Sequence, residues 1–184
     1  MNLMQTKRPA TTSNDAALDT IAYAIGESAI GKILAARSDI GVYAILIGSD
    51  ADALEQDLGD RFPGNVVLED ETTLRDDLAA IARFIETPAV GLDVPLDLRH
   101  GTPFQQRVWE VLRTIPCGTT ITYTALARRL GQPNGARAVA TACAANAIAL
   151  GVPCHRVVRT DRTLAGYRWG VERKRALLDK EATI

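Results

Sequence analysis

Apolar positions come in three short runs at the start of the patterned chain, over residues 20–25, 30–36 and 41–47. The runs are β-branched and aliphatic. Gly26-Glu27-Ser28 and Arg37-Ser38-Asp39 separate them. Turn formers between such runs predict an antiparallel meander. The period then lengthens. Ser49-Asp50 reads as a helix start, Leu54 and Leu58 lie one turn apart, and Phe62-Pro63-Gly64-Asn65 breaks the helix. A second helix is predicted over residues 72–85. Leu74, Leu78, Ile81 and Ile85 mark its apolar face, and Thr87-Pro88 ends it. Residues 93–98 alternate, but Pro95 makes them an edge strand or an extended linker.

The pattern after His100-Gly101 is helical. Thr102 caps and Pro103 takes the first helical position. Phe104, Val108, Trp109, Val111, Leu112 and Ile115 give a wide apolar stripe, stopped by Pro116-Cys117-Gly118. Thr122 caps a short helix ending at Gly131, and Gln132-Pro133-Asn134-Gly135 is a turn. An alanine-rich helix follows over residues 136–145. Two short helices joined by a glycine-containing turn form a helix-turn-helix pattern. Residues 147–153 are an apolar loop, 164–170 are irregular, and 171–181 form a last helix. Residues 1–15 are polar and aperiodic and read as a disordered tail. The expected organisation is therefore this tail, an α/β scaffold domain over 16–99, and a helical domain over 100–184.

Composition adds bounds. The chain has 184 residues, 47% of them apolar and 23% charged, values of a globular protein. Three cysteines, Cys117, Cys143 and Cys154, form no C-x-x-C pair, and there are two histidines. That argues against a disulfide framework and a zinc site, and no metal or cofactor is expected. Reduced thiols fit a cytoplasmic, intracellular protein. No apolar run has the length of a membrane span. Net charge is −1, yet residues 1–99 sum to −9 and residues 100–184 to +8. The basic half carries Arg128, Arg129, Arg137, Arg156, Arg159, Arg162, Arg168, Arg173 and Lys174. It either faces an anionic polymer or neutralises the acidic half.

The candidate chemistry lies in Val152-Pro153-Cys154-His155-Arg156-Val157-Val158. A thiolate is a soft nucleophile, and an adjacent histidine is a candidate base for it. Pro153 stiffens the approach to the thiol. A cysteine among valines is also what a small core residue looks like. The dipeptide alone leaves both readings open, as the helix-turn-helix pattern alone leaves nucleic-acid binding open.

Taken in order, Tyr123, Arg137 in Ala136-Arg137-Ala138-Val139, Asn146, Pro153-Cys154-His155-Arg156-Val157-Val158, Gly166-Tyr167-Arg168-Trp169-Gly170 and Glu181 resemble the O6-alkylguanine-DNA alkyltransferases. These are also called methylated-DNA–protein-cysteine methyltransferases. The resemblance covers nearly all of residues 20–183 and is greatest to the C-terminal half of Ada-type adaptive-response proteins. That type also has a cysteine-rich, zinc-binding N-terminal domain, which has no counterpart in this sequence.

The resemblance implies an α+β fold. A small antiparallel β-meander with helices, RNase H-like, precedes a mostly helical, winged-helix-like domain with a helix-turn-helix. It implies a suicide methyltransferase that flips O6-methylguanine, and less readily O4-methylthymine, out of duplex DNA and moves the methyl irreversibly to Cys154. His155 would act as base through a bridging water, Glu181 would orient His155, Tyr123 would protonate the departing guanine, and Asn146 would tie the helix-turn-helix to the Cys154 segment. Arg137, Tyr123, Thr124, Ala136 and Thr160 would contact DNA in the minor groove, with Arg137 as the finger that fills the stack. Cys143, Val157, Tyr167 and Arg168 would line the substrate pocket. The expected partner is double-stranded DNA carrying O6-alkylguanine, bound by a monomer with no membrane association. The alternative is a non-enzymatic protein that only binds alkyl lesions, a reading that the presence of Cys154 opposes. Two positions depart from the family pattern. Gly151 replaces a bulky aliphatic residue and is expected to loosen the segment before Cys154. Arg162 replaces a turn glycine and is expected to change that turn.

Overall fold

The computed structural model describes residues 20–164 and 166–183, so the tail expected over residues 1–15 lies outside the described residues. Strands β1 (Thr20–Ser28), β2 (Gly31–Arg37) and β3 (Val42–Gly48) form the antiparallel meander. Gly31 closes the first hairpin at φ +116, where a Cβ would stand 2.5 Å from the Gly48 carbonyl oxygen. Only glycine fits both demands. Helix α1 (Ala51–Arg61) starts at Asp50, whose side chain accepts the Ala53 N–H. Helix α2 (Glu71–Glu86) starts at Asp70, which caps both Thr72 and Thr73. Leu74, Ile81, Phe84 and Ile85 of α2 are buried, and Leu78 packs where Gly26 leaves room on β1.

The sheet has a further strand that the hydrophobic pattern did not predict. β4 (Val66–Glu69) pairs parallel to β1, giving the order β3-β2-β1-β4. Its four residues are too few to show a period, and Val66 and Leu68 are exposed, so no apolar face marks it. The other edge is occupied differently. The Val42 N–H donates to the Pro95 oxygen and the Asp97 N–H to the Val42 oxygen, which makes residues 93–98 an extended linker laid along β3. Farther along, the Ile45 N–H donates to the Ala147 oxygen at 2.9 Å, and the Ala149 N–H returns to the Ile45 oxygen at 3.0 Å. The apolar loop that leads to Cys154 is thereby pinned to a fully buried strand.

The second half is helical, as its pattern predicts. Helix α3 (Pro103–Arg113) opens with a full capping box between Thr102 and Gln105. Helices α4 (Tyr123–Arg129) and α5 (Ala136–Ala144) form the helix-turn-helix, with Gly131 left-handed between them. Trp109 on α3 donates its indole N–H to the Ala142 oxygen at 2.9 Å and so fixes the rear of α5. A two-residue parallel pair, β5 (Ile121–Thr122) with β6 (Val157–Val158), joins the start of α4 to the segment after Cys154. Helix α6 (Val171–Glu181) closes the chain. Among the described residues no helix is long and apolar enough to cross a membrane.

Candidate active site

Pro153 leads into a single 3-10 turn, Cys154–Arg156, which sets Cys154 at a cavity of about 360 Å³. Tyr123 from α4, Ala140, Cys143 and Ala144 from α5, and Gly166, Tyr167 and Arg168 line the rest. Cys154 is 6% exposed. Asn146 lies directly behind it. Its Nδ2 donates to the Val152 oxygen at 2.9 Å and the Ile148 oxygen at 3.3 Å, and also reaches Cys154 Sγ at 3.3 Å. Its Oδ1 accepts the Ile148 N–H at 2.9 Å. One buried amide therefore shapes the loop from α5 to Cys154 and touches the sulfur as well.

His155 points away from the cavity into a buried ionic cluster. Its Nε2 is 2.8 Å from Glu181 Oε1, and its Nδ1 is buried with no protein partner among the described residues. Glu181 also accepts from Arg156, at 3.2 and 3.0 Å from Nε and 2.8 Å from Nη2, and from the Gly118 N–H at 3.3 Å. Arg156 Nη1 donates to the Ile115 oxygen at 2.6 Å. Burial alone would push the Glu181 carboxyl up, but the His155 and Arg156 hydrogen bonds outweigh it and bring it down to about 2. Burial pulls His155 below its ordinary 6.5, against Glu181. Near neutral pH this combination is an ionised carboxylate holding a proton on Nε2, which leaves a lone pair on Nδ1.

Burial raises the Cys154 thiol above its ordinary value, and the Asn146 amide and the Lys174 charge offset only part of that rise. Burial likewise raises the Tyr123 phenol to about 12, so that it keeps its proton. Cys143 is also raised by burial, as expected for a thiol that packs rather than reacts.

Most of the residues selected from the sequence converge here. Cys154, Tyr123, Cys143, Tyr167 and Arg168 share the cavity, and His155, Asn146 and Glu181 stand behind it. Arg137 is exposed in the first turn of α5, beside half-buried Ala136; Thr124 is half-buried on α4, and Thr160 is exposed.

Four expectations change. Val157 does not line the pocket: as part of β6 its side chain turns into the core, and its carbonyl accepts the Lys174 ammonium at 2.6 Å. Arg156 and Lys174 do not belong to a basic outer face, because both are buried in the site. Arg168 and Arg173 are engaged as well, with Asp57 and with the Ile30 and Trp169 carbonyls. Gly151 does not loosen its segment: a Cβ there would meet Ile148 at 3.0 Å and Leu96 at 3.2 Å, so the space is already filled. Arg162 keeps the left-handed turn of a glycine, at φ +62.

Sequence reasoning thus missed two inner cations. Arg156 stands beside Cys154-His155 in the sequence, but the charge pattern alone does not separate it from the other arginines of the basic half. Lys174 and Glu181 are seven apart, two helical turns, which places them on one face of α6.

A family model described as 6-O-methylguanine DNA methyltransferase, DNA binding domain, matches residues 103–183. The bifunctional transcriptional activator/DNA repair enzyme Ada of Escherichia coli is 45% identical over 162 residues, covering 88% of this chain and 46% of Ada. The methylated-DNA–protein-cysteine methyltransferase of Mycobacterium tuberculosis is 55% identical over 89 residues, 48% of this chain and 53% of that protein. The chain spans about half the length of the curated relatives it matches. Among solved structures, the O6-methylguanine methyltransferase of Mycobacterium tuberculosis has a TM-score of 0.69 at 35% identity, over 89% of this chain and 93% of that chain. A structure of the Mycobacterium tuberculosis protein in complex with DNA has the same TM-score at 33% identity and the same coverage. By fold, by sequence and by the residues gathered around Cys154, the chain belongs to the O6-methylguanine-DNA methyltransferase family.

Proposed function

We propose that this protein is a single-turnover DNA-repair methyltransferase that moves the methyl of O6-methylguanine in duplex DNA to Cys154. The observation that carries the reading is the Cys154 sulfur at a base-sized cavity, with the His155–Glu181–Arg156 cluster directly behind it. The Cys154 proton passes to His155 Nδ1, through a bridging water because neighbouring side chains do not face one another. Glu181 orients the ring and compensates the imidazolium that results. The thiolate then attacks the methyl carbon in line. A sulfur–carbon bond forms, the carbon–oxygen bond breaks, and the electron pair leaves with guanine. Tyr123 supplies the proton the departing base needs. The thioether has no leaving path, so each chain acts once.

The target methyl lies within a base stack, so the nucleotide must leave it. The small residues of α5 suit close approach along the minor groove, and on this reading Arg137, exposed in the first turn of α5, fills the vacated stack. Arg128, Arg129 and Arg159 remain exposed for phosphates. O4-methylthymine is a poorer substrate on this reading. Residues 16–99 serve as scaffold and 100–184 as the acceptor domain, in a monomeric intracellular protein.

The test uses stoichiometric protein and duplex carrying a labelled O6-methylguanine. Label should move to the protein once. Label released to solvent would indicate a hydrolase, and binding without transfer would indicate the lesion-binding alternative. Arg137→Ala should slow repair in duplex more than reaction with the free base; equal slowing would remove the finger role.

A further inference from the structure

One wall of the cavity is made by Gly166, Tyr167 and Arg168, in a stretch that belongs to no helix or strand. Inside the stretch the Gly170 N–H donates to the Tyr167 oxygen at 3.0 Å, and the Tyr167 and Trp169 rings pack edge to face at 5.1 Å. Its outward polar links reach the other half of the chain. Arg168 Nη2 donates to Asp57 Oδ1, on α1, at 2.7 Å. Arg173 donates to the Trp169 oxygen at 2.9 Å and to the Ile30 oxygen, in the β1–β2 turn, at 2.8 Å. Asp57 is itself held, since its Oδ2 accepts Arg61 Nε at 3.1 Å one turn along α1. The carboxylate thus presents one oxygen to its own helix and the other to the cavity wall. A segment without ladder hydrogen bonds takes its order from such side-chain contacts.

We infer that Asp57 is a positioning residue for methyl transfer: through Arg168 it holds the cavity wall where the alkylated base must lie against Cys154. The inference rests on the functional reading above and gives the α/β half of the chain a part in it. Arg168 touches the cavity, while Asp57 does not and acts through Arg168. The Arg168 and Asp57 side chains are 40% and 30% exposed, so salt screens their link. That provides a readout which a purely structural role would not move.

The experiment measures transfer to Cys154 from free O6-methylguanine base, a neutral substrate that removes DNA electrostatics from the salt response. At low ionic strength Asp57→Asn should react about threefold to fivefold more slowly than wild type, the factor that a partly exposed ion pair supports. The gap should close at about 1 M salt, where the Debye length is about 3 Å. In an Arg168→Ala background Asp57→Asn should add no further slowing. Equal rates at low salt, a gap that survives high salt, or the same slowing in both backgrounds would overturn the inference alone. A wild-type chain that takes no methyl would overturn the functional reading, and this inference with it.

Discussion

Asn146 ties the loop before Cys154 together through one buried side chain. Its amide satisfies two carbonyls and one N–H of the loop and reaches the sulfur. Asn146→Ala leaves the buried Ile148 N–H without its partner, while the Ile148 and Val152 oxygens keep the Val152 and Cys154 N–H groups, and the loss should cost roughly 2 kcal/mol of stability in denaturant unfolding. Lys174 tests a different property. It is fully buried against the Val157 carbonyl, and its charge favours the Cys154 thiolate. In Lys174→Met, alkylation of Cys154 by iodoacetamide should shift to higher pH; an unchanged profile would remove the electrostatic role. Arg162 gives a third residue-scale outcome. Its left-handed backbone costs a non-glycine residue about 1 kcal/mol, so Arg162→Gly should raise stability by about that much.

Elements were legible from the sequence wherever a period had room to repeat. α2, α3 and α6 follow from apolar spacing and capping residues, and the meander follows from its turns. β4, β5 and β6 were not legible, because pairs or quartets of residues carry no period and their partners are distant in sequence. The site divides in the same way. Cys154, His155 and Asn146 are near one another in the chain, and Glu181 could be chosen by family pattern. The burial of Arg156 depends on a carboxylate arriving from α6, 25 residues later, which no local pattern encodes. α6 accordingly supplies Glu181 to the candidate site as well as closing the chain. Glu181→Gln should lower the transfer rate by at least about a hundredfold, the usual contribution of a supported general base. It should also destabilise the fold, because Arg156 would stay buried without its carboxylate.

At the scale of the whole molecule, buried titratable groups set the response to acid. Burial holds His155 and His100 below 6.5. The unfolded chain therefore binds more protons as pH falls through that value, and stability is lost on acidification from there. Glu181, held at about 2 in the fold against an ordinary 4.5, contributes stability above 4.5 that is lost as pH falls towards 2. Burial would raise Asp97, but hydrogen bonds from Arg99 and Ser38 bring it to about 2 as well. Thermal unfolding followed against pH should show both declines, and Glu181→Gln should weaken the lower one while Asp97 keeps its share of it. The two halves are also joined mechanically. β3 carries the loop to Cys154, and α1 reaches the cavity wall through Asp57, so the acidic half helps to build the site rather than only balancing charge.

The central claim is that Cys154 accepts one methyl and then stops. Incubating the protein with excess O6-methylguanine duplex, followed by intact mass and peptide mapping, tests it most directly. The predicted result is one added methyl per chain, located on the peptide containing Cys154, with repaired DNA equal in amount to protein. Methyl on Cys143 or Cys117, continued turnover beyond one equivalent, or an unmodified chain that stays bound to lesion DNA would contradict it.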